Sequence, residues 1–285
     1  MKIKKGDAML LFAAMIGGIG FINLKVLLDS GYTPYQVIFG RFLVAVVCMS
    51  LFCGKKYKSI TKEEWKVGSI LGVLLAVMFL LMVVGLQYTT PSVNAFLCNT
   101  PAVIVPFILW FAFRQKPAKS CFLAAFMTLV GVALLSLTKD FSIDLGAALS
   151  LAAAVAFSFQ MAFLGNLAKN CDSIHIALVE NAVVLVLSVL IVTVTGWEMP
   201  RPDGAVLGNF FFLGAFCTAL YFALQSVGQK YTSPSKTAII ITSESIFAAI
   251  ASAVFYGERM SARGYVGCVL IFLAMLLAER PVRGK

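Results

Sequence analysis

Three ionisable residues, Arg41, Glu180 and Glu244, stand inside long apolar runs. A charge at the centre of a membrane helix costs about 2.5–3.5 kcal/mol on insertion scales, so such residues face a cavity or a partner. Arg41 carries a planar fork that can hold a substrate carboxylate through two hydrogen bonds; bonding to helix ends and to Glu180 is its structural alternative. Glu244, flanked by Thr242, Ser243 and Ser245, is suited to meet a cationic group or to take up a proton, and its alternative is a permanently neutral or paired carboxyl. Asn94, Asn99, Gln160 and Gln225 are further polar candidates for the cavity, and a lone amide such as Gln160 or Gln225 is more often a helix-to-helix hydrogen bond than a ligand. Pro101 and Pro106 share a run with Asn94, Asn99 and Thr100. Each proline removes an intrahelical hydrogen bond and bends the helix. Broken backbone at membrane depth needs protein or a wet cavity to satisfy it, so this run reads as a cavity wall.

These groups suit recognition and movement of a small polar solute better than bond chemistry. An intramembrane enzyme needs clustered ligands or acid–base pairs, such as H-E-x-x-H or two aspartates on one helix. Here His175 is the only histidine, and the glutamates inside the apolar runs, Glu180 and Glu244, are isolated. The Gly-x-x-x-x-Gly-Lys-[Ser/Thr] loop of nucleotide hydrolases is missing from the sequence. No catalysis, metal or other cofactor is expected. The seven cysteines lie in or beside apolar runs without C-x-x-C spacing and read as reduced packing residues.

The elements that carry these residues are membrane helices. Hydrophobic residues make up 60% of the chain and charged ones 13%, with mean hydropathy +0.93, far outside a water-soluble domain. Ten mostly apolar runs are long enough to cross a hydrocarbon core of about 30 Å. They lie near 8–28, 35–53, 67–87, 93–113, 119–137, 146–168, 174–195, 205–228, 236–256 and 262–279. The runs are continuous, without the alternation of a barrel wall. The expected fold is therefore an all-α membrane protein of ten transmembrane helices.

The net charge of +10 does not signal nucleic-acid binding, because the basic residues are sorted by side. With a cytoplasmic N-terminus, 17 of the 23 lie in inside segments: Lys2, Lys4 and Lys5, the Lys55–Lys66 loop, Arg114, Lys116, Lys119, Lys169, Lys230, Lys236, Arg280, Arg283 and Lys285. Four, Lys139, Arg201, Arg259 and Arg263, lie outside. The positive-inside rule then puts both termini in the cytoplasm. Met1-Lys2-Ile3-Lys4-Lys5 reads as the start of a retained first helix, because the run that follows is too long for a cleaved signal. Lys25 reads as an anchor near the outer end of the first run.

Residues 85–92, Gly-Leu-Gln-Tyr-Thr-Thr-Pro-Ser, recur as 228–235, Gly-Gln-Lys-Tyr-Thr-Ser-Pro-Ser, with five identities at an offset of 143. Each half holds five segments, 8–137 and 146–279, and an odd number inverts the second half in the membrane. Inverted repeats place a site where the halves meet near the midplane and let one half rock against the other. The offset of 143 sets Pro101 against Glu244; an offset of 140 sets Gly40-Arg41 against Glu180-Asn181.

Together, Gly40-Arg41-Phe42-Leu43-Val44-Ala45, the repeated Gly-x-x-Tyr-Thr-x-Pro-Ser joint and Tyr256-Gly257-Glu258 resemble the EamA family of the drug/metabolite transporter superfamily, over essentially the whole chain. The resemblance implies a ten-helix protein of an inner or plasma membrane, commonly exporting amino acids or related metabolites through a central cavity. The family often ends segment 4 with Gly-Glu, and this chain has Arg114-Gln115 there, which puts local structure rather than transport in question. An exchanger of anionic metabolites, such as sugar nucleotides or organophosphates, is the alternative, and it wants more cavity cations than Arg41 and Lys25. The expected partners are a small-molecule substrate and membrane lipid, and the sequence leaves monomer and homodimer both open.

Overall fold

Residues 5–54, 59–136 and 144–278 are described by a computed structural model. Lys2 and Lys4, Lys55, Lys56 and Lys58, the Lys139 loop, Arg280, Arg283 and Lys285 lie outside the described residues, as do the expected repeat ends 137 and 279. The described residues form helices and their connections, with no strand among them. The helices are α1 Lys5–Asp29, α2 Pro34–Cys53, α3 Lys62–Leu86, α4 Pro91–Cys98, α5 Pro101–Phe113, α6 Lys119–Ser136, α7 Leu145–Leu167 and α8 Ser173–Thr195, followed by α9 Gly204–Phe211. A π-helical stretch, Phe212–Leu220, joins α9 to α10 Tyr221–Gln229, and α11 Pro234–Thr242, α12 Glu244–Phe255 and α13 Ala262–Ala278 complete the described residues.

Eight helical stretches are long and apolar enough to cross a membrane, counting α4 with α5, α9 with α10, and α11 with α12 as one stretch each. At the remaining two expected positions lie shorter apolar helices, Lys119–Leu134 and Ala262–Ala274. Large apolar side chains such as Leu51, Phe52, Phe111, Val194 and Phe255 are exposed, while Arg41, Glu180, Glu244 and many amides are buried. That is the reverse of a protein dissolved in water, and it fits a lipid-facing perimeter around a polar interior.

Local signals explain where the helices begin. Thr33 with Gln36 and Thr61 with Glu64 form reciprocal capping boxes at α2 and α3, and Thr90 and Ser233 cap α4 and α11, each followed by proline at the first helical position. The cap oxygen satisfies an otherwise orphaned N–H, and the proline has none to lose.

Packing between the halves is reciprocal. The third helix of the first half, α3, packs on α7 and α8; the corresponding π–α10 helix packs on α1 and α2. Likewise α2 meets α8, α4 meets α12, α5 meets α11 and α6 meets α13. Glycines permit the close approach. A Cβ on Gly18 would lie 2.6 Å from the Glu244 carbonyl oxygen and one on Gly68 would lie 2.7 Å from Val179 Cβ, so α1–α12 and α3–α8 are near backbone contact.

The run expected to bend at Pro101 breaks outright. Asn99 and Thr100 leave helical geometry, and Pro101 is the first residue of α5 rather than an interior kink; Pro106 does lie inside α5. The missing Pro101 N–H frees the Leu97 carbonyl, which accepts from Thr100 Oγ1 at 2.9 Å. The related run breaks at Ser243, and Glu244 opens α12. Thus Pro101 and Glu244, aligned by the offset of 143, each begin the second piece of a broken helix. The two breaks meet: Ser245 Oγ donates to the Ala95 carbonyl at 3.1 Å, and Thr242 Oγ1, which donates to the Ala238 carbonyl at 2.8 Å, lies 3.4 Å from the Asn99 carbonyl oxygen. Hydroxyls from one half thereby reach carbonyls at the break in the other, beside the bonds that the Ala95 carbonyl accepts from Asn99.

Candidate functional site

A buried cavity lies beside these breaks, lined by Gly17, Arg41, Phe79, Asn99, Cys217, Tyr221 and Glu244, among others. The centres of water molecules can occupy only about 40 Å³ of it, room for a few waters, so the cavity is nearly closed in this conformation.

Arg41 enters from α2 and is 5% exposed. Its Nε donates to Thr218 Oγ1 at 2.5 Å and its Nη2 to the Cys217 carbonyl at 2.6 Å. The guanidinium carbon sits 4.4 Å from the Phe79 ring centroid, a cation–π distance. Thr218 in turn donates to the Leu213 carbonyl at 2.7 Å, five residues back, as the π register allows. Arg41 makes no ion pair with Glu180 among the described residues, and its Nη1 has no hydrogen-bond partner among them.

Glu244 reaches the same cavity from the first turn of α12, where the helix N-terminus favours a negative group. Tyr221 Oη donates to its Oε2 at 3.0 Å. Gly17 backs the carboxyl, and a Cβ there would lie 2.8 Å from Glu244 Cδ. A cation and a carboxyl therefore share one enclosed space, each held by a hydroxyl from the stretch between Phe212 and Gln229.

The other expected residues divide into two groups. Asn99 lines the cavity, while its Nδ2 donates to the Ala95 carbonyl at 3.0 Å. Asn94 is fully buried and donates to the Met82 carbonyl at 3.2 Å and Ser150 Oγ at 2.8 Å, so it ties α4 to α3 and α7. Gln225, Gln160 and Glu180 form a separate buried chain: Gln225 Nε2 donates to Gln160 Oε1 at 3.3 Å, and Gln160 Nε2 lies 3.3 and 3.4 Å from the Glu180 oxygens. Pro101 opens α5 beside Asn99 but does not line the cavity. At the surface, Lys25 pairs with Asp29 at 3.6 Å. His175 Nδ1 lies 3.1 Å from Glu64 Oε2, at the start of α8. No group of three metal-binding side chains occurs among the described residues.

Sequence reasoning missed Thr218, Cys217, Tyr221, Gly17 and Phe79. One signal was available: Cys217, Tyr221, Gln225 and Gln229 recur every four residues and mark a single helical face.

A many-helix membrane protein with a charged, enclosed cavity between interleaved halves belongs to the class of integral membrane transporters. A profile of the EamA-like transporter family matches residues 4–137 and 144–279. The chain belongs to this family, within the drug/metabolite transporter superfamily. An uncharacterized transporter of Archaeoglobus fulgidus is 26% identical over 278 residues, covering 97% of this chain and 86% of that protein. The uncharacterized transporter YdfC of Bacillus subtilis is 30% identical over 80 residues, 28% of this chain and 26% of its own. A crystal structure 14% identical in sequence matches with a TM-score of 0.75 over 99% of this chain and 98% of its own, a likeness of fold.

Proposed function

We propose that the chain is a secondary carrier in the cell membrane, with ten crossings in two inverted repeats, about 8–137 and 146–279. It exports small amphipathic metabolites, amino acids or their relatives, by alternating access. The observation that carries the reading is that Arg41, with Nη1 unpartnered among the described residues, and Glu244 line one enclosed cavity between the interleaved halves. Such a pair is suited to the two ends of a zwitterion, or to a carboxylate and a transferred proton.

In this reading both termini are cytoplasmic. The orientation rests on the sorting of the basic residues, and the described loop contacts agree with the alternation of segments, because they join ends assigned to the same side. Tyr32 Oη donates to the Pro200 carbonyl at 2.8 Å and Gln36 Nε2 to the Glu198 carbonyl at 2.9 Å, both outside by charge. Lys230 Nζ donates to the Cys171 carbonyl at 2.5 Å and Lys236 pairs with Asp7 at 2.8 Å, both inside. A periplasm-dependent reporter fused after Lys285 is expected to stay silent; a strong signal there reverses the orientation.

The carrier reading is tested in proteoliposomes loaded with candidates from a metabolite-release screen of overexpressing cells. A carrier accelerates labelled uptake when unlabelled solute is present on the far side. A channel gives no such counterflow, and an enzyme alters the solute, so either of those results removes the reading.

A further inference from the structure

The two ends of the molecule treat one structural feature differently. At the end bearing Pro91, the Glu258 carboxylate accepts from Ser92 N at 3.3 Å and Ser92 Oγ at 2.8 Å, and also from Ser252 Oγ. A carboxylate is thus seated at the N-terminus of α4, where free N–H groups and the helix dipole favour it. The offset of 143 carries Ser92 onto Ser235 and Glu258 onto Gln115. At the opposite end the place of that carboxylate is held by a neutral amide, which turns its Nε2 to Asn166 Oδ1 at 3.4 Å. Ser235 N–H has no hydrogen-bond partner among the described residues.

A cavity of about 400 Å³ opens at this end, lined by Gln115, Lys169, Ser226, Gln229, Lys230 and Pro234, among others. Neither Asp nor Glu lines it. Lys230 gives one N–H to the Cys171 carbonyl and keeps two. Ser226 Oγ and Gln229 Oε1 are buried without a partner, on side chains that are 3% and 5% exposed. Buried polar atoms left open in a roomy, cationic recess mark a place for a ligand.

We propose that this recess is a loading site for a small carboxylate-bearing solute. Its carboxylate takes, at the start of α11, the position that Glu258 takes at α4, and meets the Lys169 and Lys230 ammonium groups. Gln229 Oε1 accepts from an amino or hydroxyl group on the same solute. From Gln229, the row Gln225–Tyr221 leads along one helical face toward Glu244, about 12 Å deeper at 1.5 Å per residue. The Gln225–Gln160 contact closes the way between. As a loading site this rests on the carrier reading; as a carboxylate site it rests on the recess alone, and the test reads binding without transport.

The full chain in detergent is acylated with an activated acetyl ester, and modification of each lysine is followed by peptide mass spectrometry. Acetate and succinate at constant ionic strength are compared with their neutral isosteres, acetamide and succinamide. The carboxylates should slow acylation of Lys169 and Lys230 while leaving Lys25 unaffected, and the amides should protect none of them. Gln115→Glu restores an internal carboxylate and should raise the acetate concentration for half-protection by roughly tenfold or more, the loss of about one charge-assisted hydrogen bond. Equal protection by acetate and acetamide, or unchanged protection in Gln115→Glu, overturns the proposal. Protection without counterflow would remove the carrier reading and leave this site standing; counterflow without protection would do the reverse.

Discussion

Replacing Arg41 by lysine is expected to weaken substrate binding by roughly tenfold to a hundredfold while the protein still reaches the membrane in normal amount. The native guanidinium makes two hydrogen bonds, to Thr218 Oγ1 and the Cys217 carbonyl, and lies over Phe79. A lysine ammonium keeps the charge but cannot hold those contacts and present a second fork to a carboxylate. Each charge-assisted bond lost is worth about 1.5–3 kcal/mol, which gives the expected range. The measurement is half-saturation of counterflow per molecule of inserted protein, with thermal unfolding recorded alongside. Lower thermal stability with unchanged half-saturation would assign Arg41 to holding α2 against the π-helical stretch, and to nothing else.

Glu244→Gln should uncouple flux from a pH gradient. The amide keeps the size of the carboxyl and its Oε1 can still accept from Tyr221 Oη, so the α10–α12 contact survives, but the group can no longer take up or release a proton. In the native protein an imposed gradient is expected to change the rate of net flux. In the variant the rates with and without the gradient should become equal, while exchange of labelled for unlabelled solute continues. If the gradient acts on both proteins alike, Glu244 is a structural carboxyl that completes the first turn of α12.

Much of this architecture was legible because its causes are local. Apolar runs of membrane length, capping threonines and serines, and first-turn prolines each act through their own few residues, and the repeated Gly-x-x-Tyr-Thr-x-Pro-Ser joint identified the two related breaks. The burial of Arg41 and Glu244 followed from the cost of an exposed charge in hydrocarbon. Their common cavity did not, because it depends on how the two halves interleave. Arg41 was set beside Glu180 by alignment of the halves, yet an alignment gives equivalence under symmetry and not contact; the actual partners come from the π-helical stretch. The recurrence of Cys217, Tyr221, Gln225 and Gln229 marks a face of that segment but not its π register, and without that register Thr218 has no evident role. Pro101 was read as a bend, since a proline's lost hydrogen bond is local information. Whether the helix bends or starts afresh depends on the backbone at Asn99 and Thr100 and on what packs against it from the other half, which is not local information.

The unequal ends bear on rates. On the side proposed to be external, Tyr32–Pro200, Gln36–Glu198 and Ser92–Glu258 close the seam; on the side proposed to be cytoplasmic, Lys230–Cys171 and Lys236–Asp7 contacts flank a recess of about 400 Å³. A carrier that rests in this shape offers its recess, though not the Arg41–Glu244 cavity behind Gln225 and Gln160, to solute arriving from the cell interior. Solute arriving from outside meets only the fraction that has opened there, and its apparent affinity is reduced by that fraction. The gradient still fixes the direction of net flow. In the proposed carrier the asymmetry would set the concentration for half-saturation at each face, so the two faces of the membrane would fill the same site at different solute concentrations.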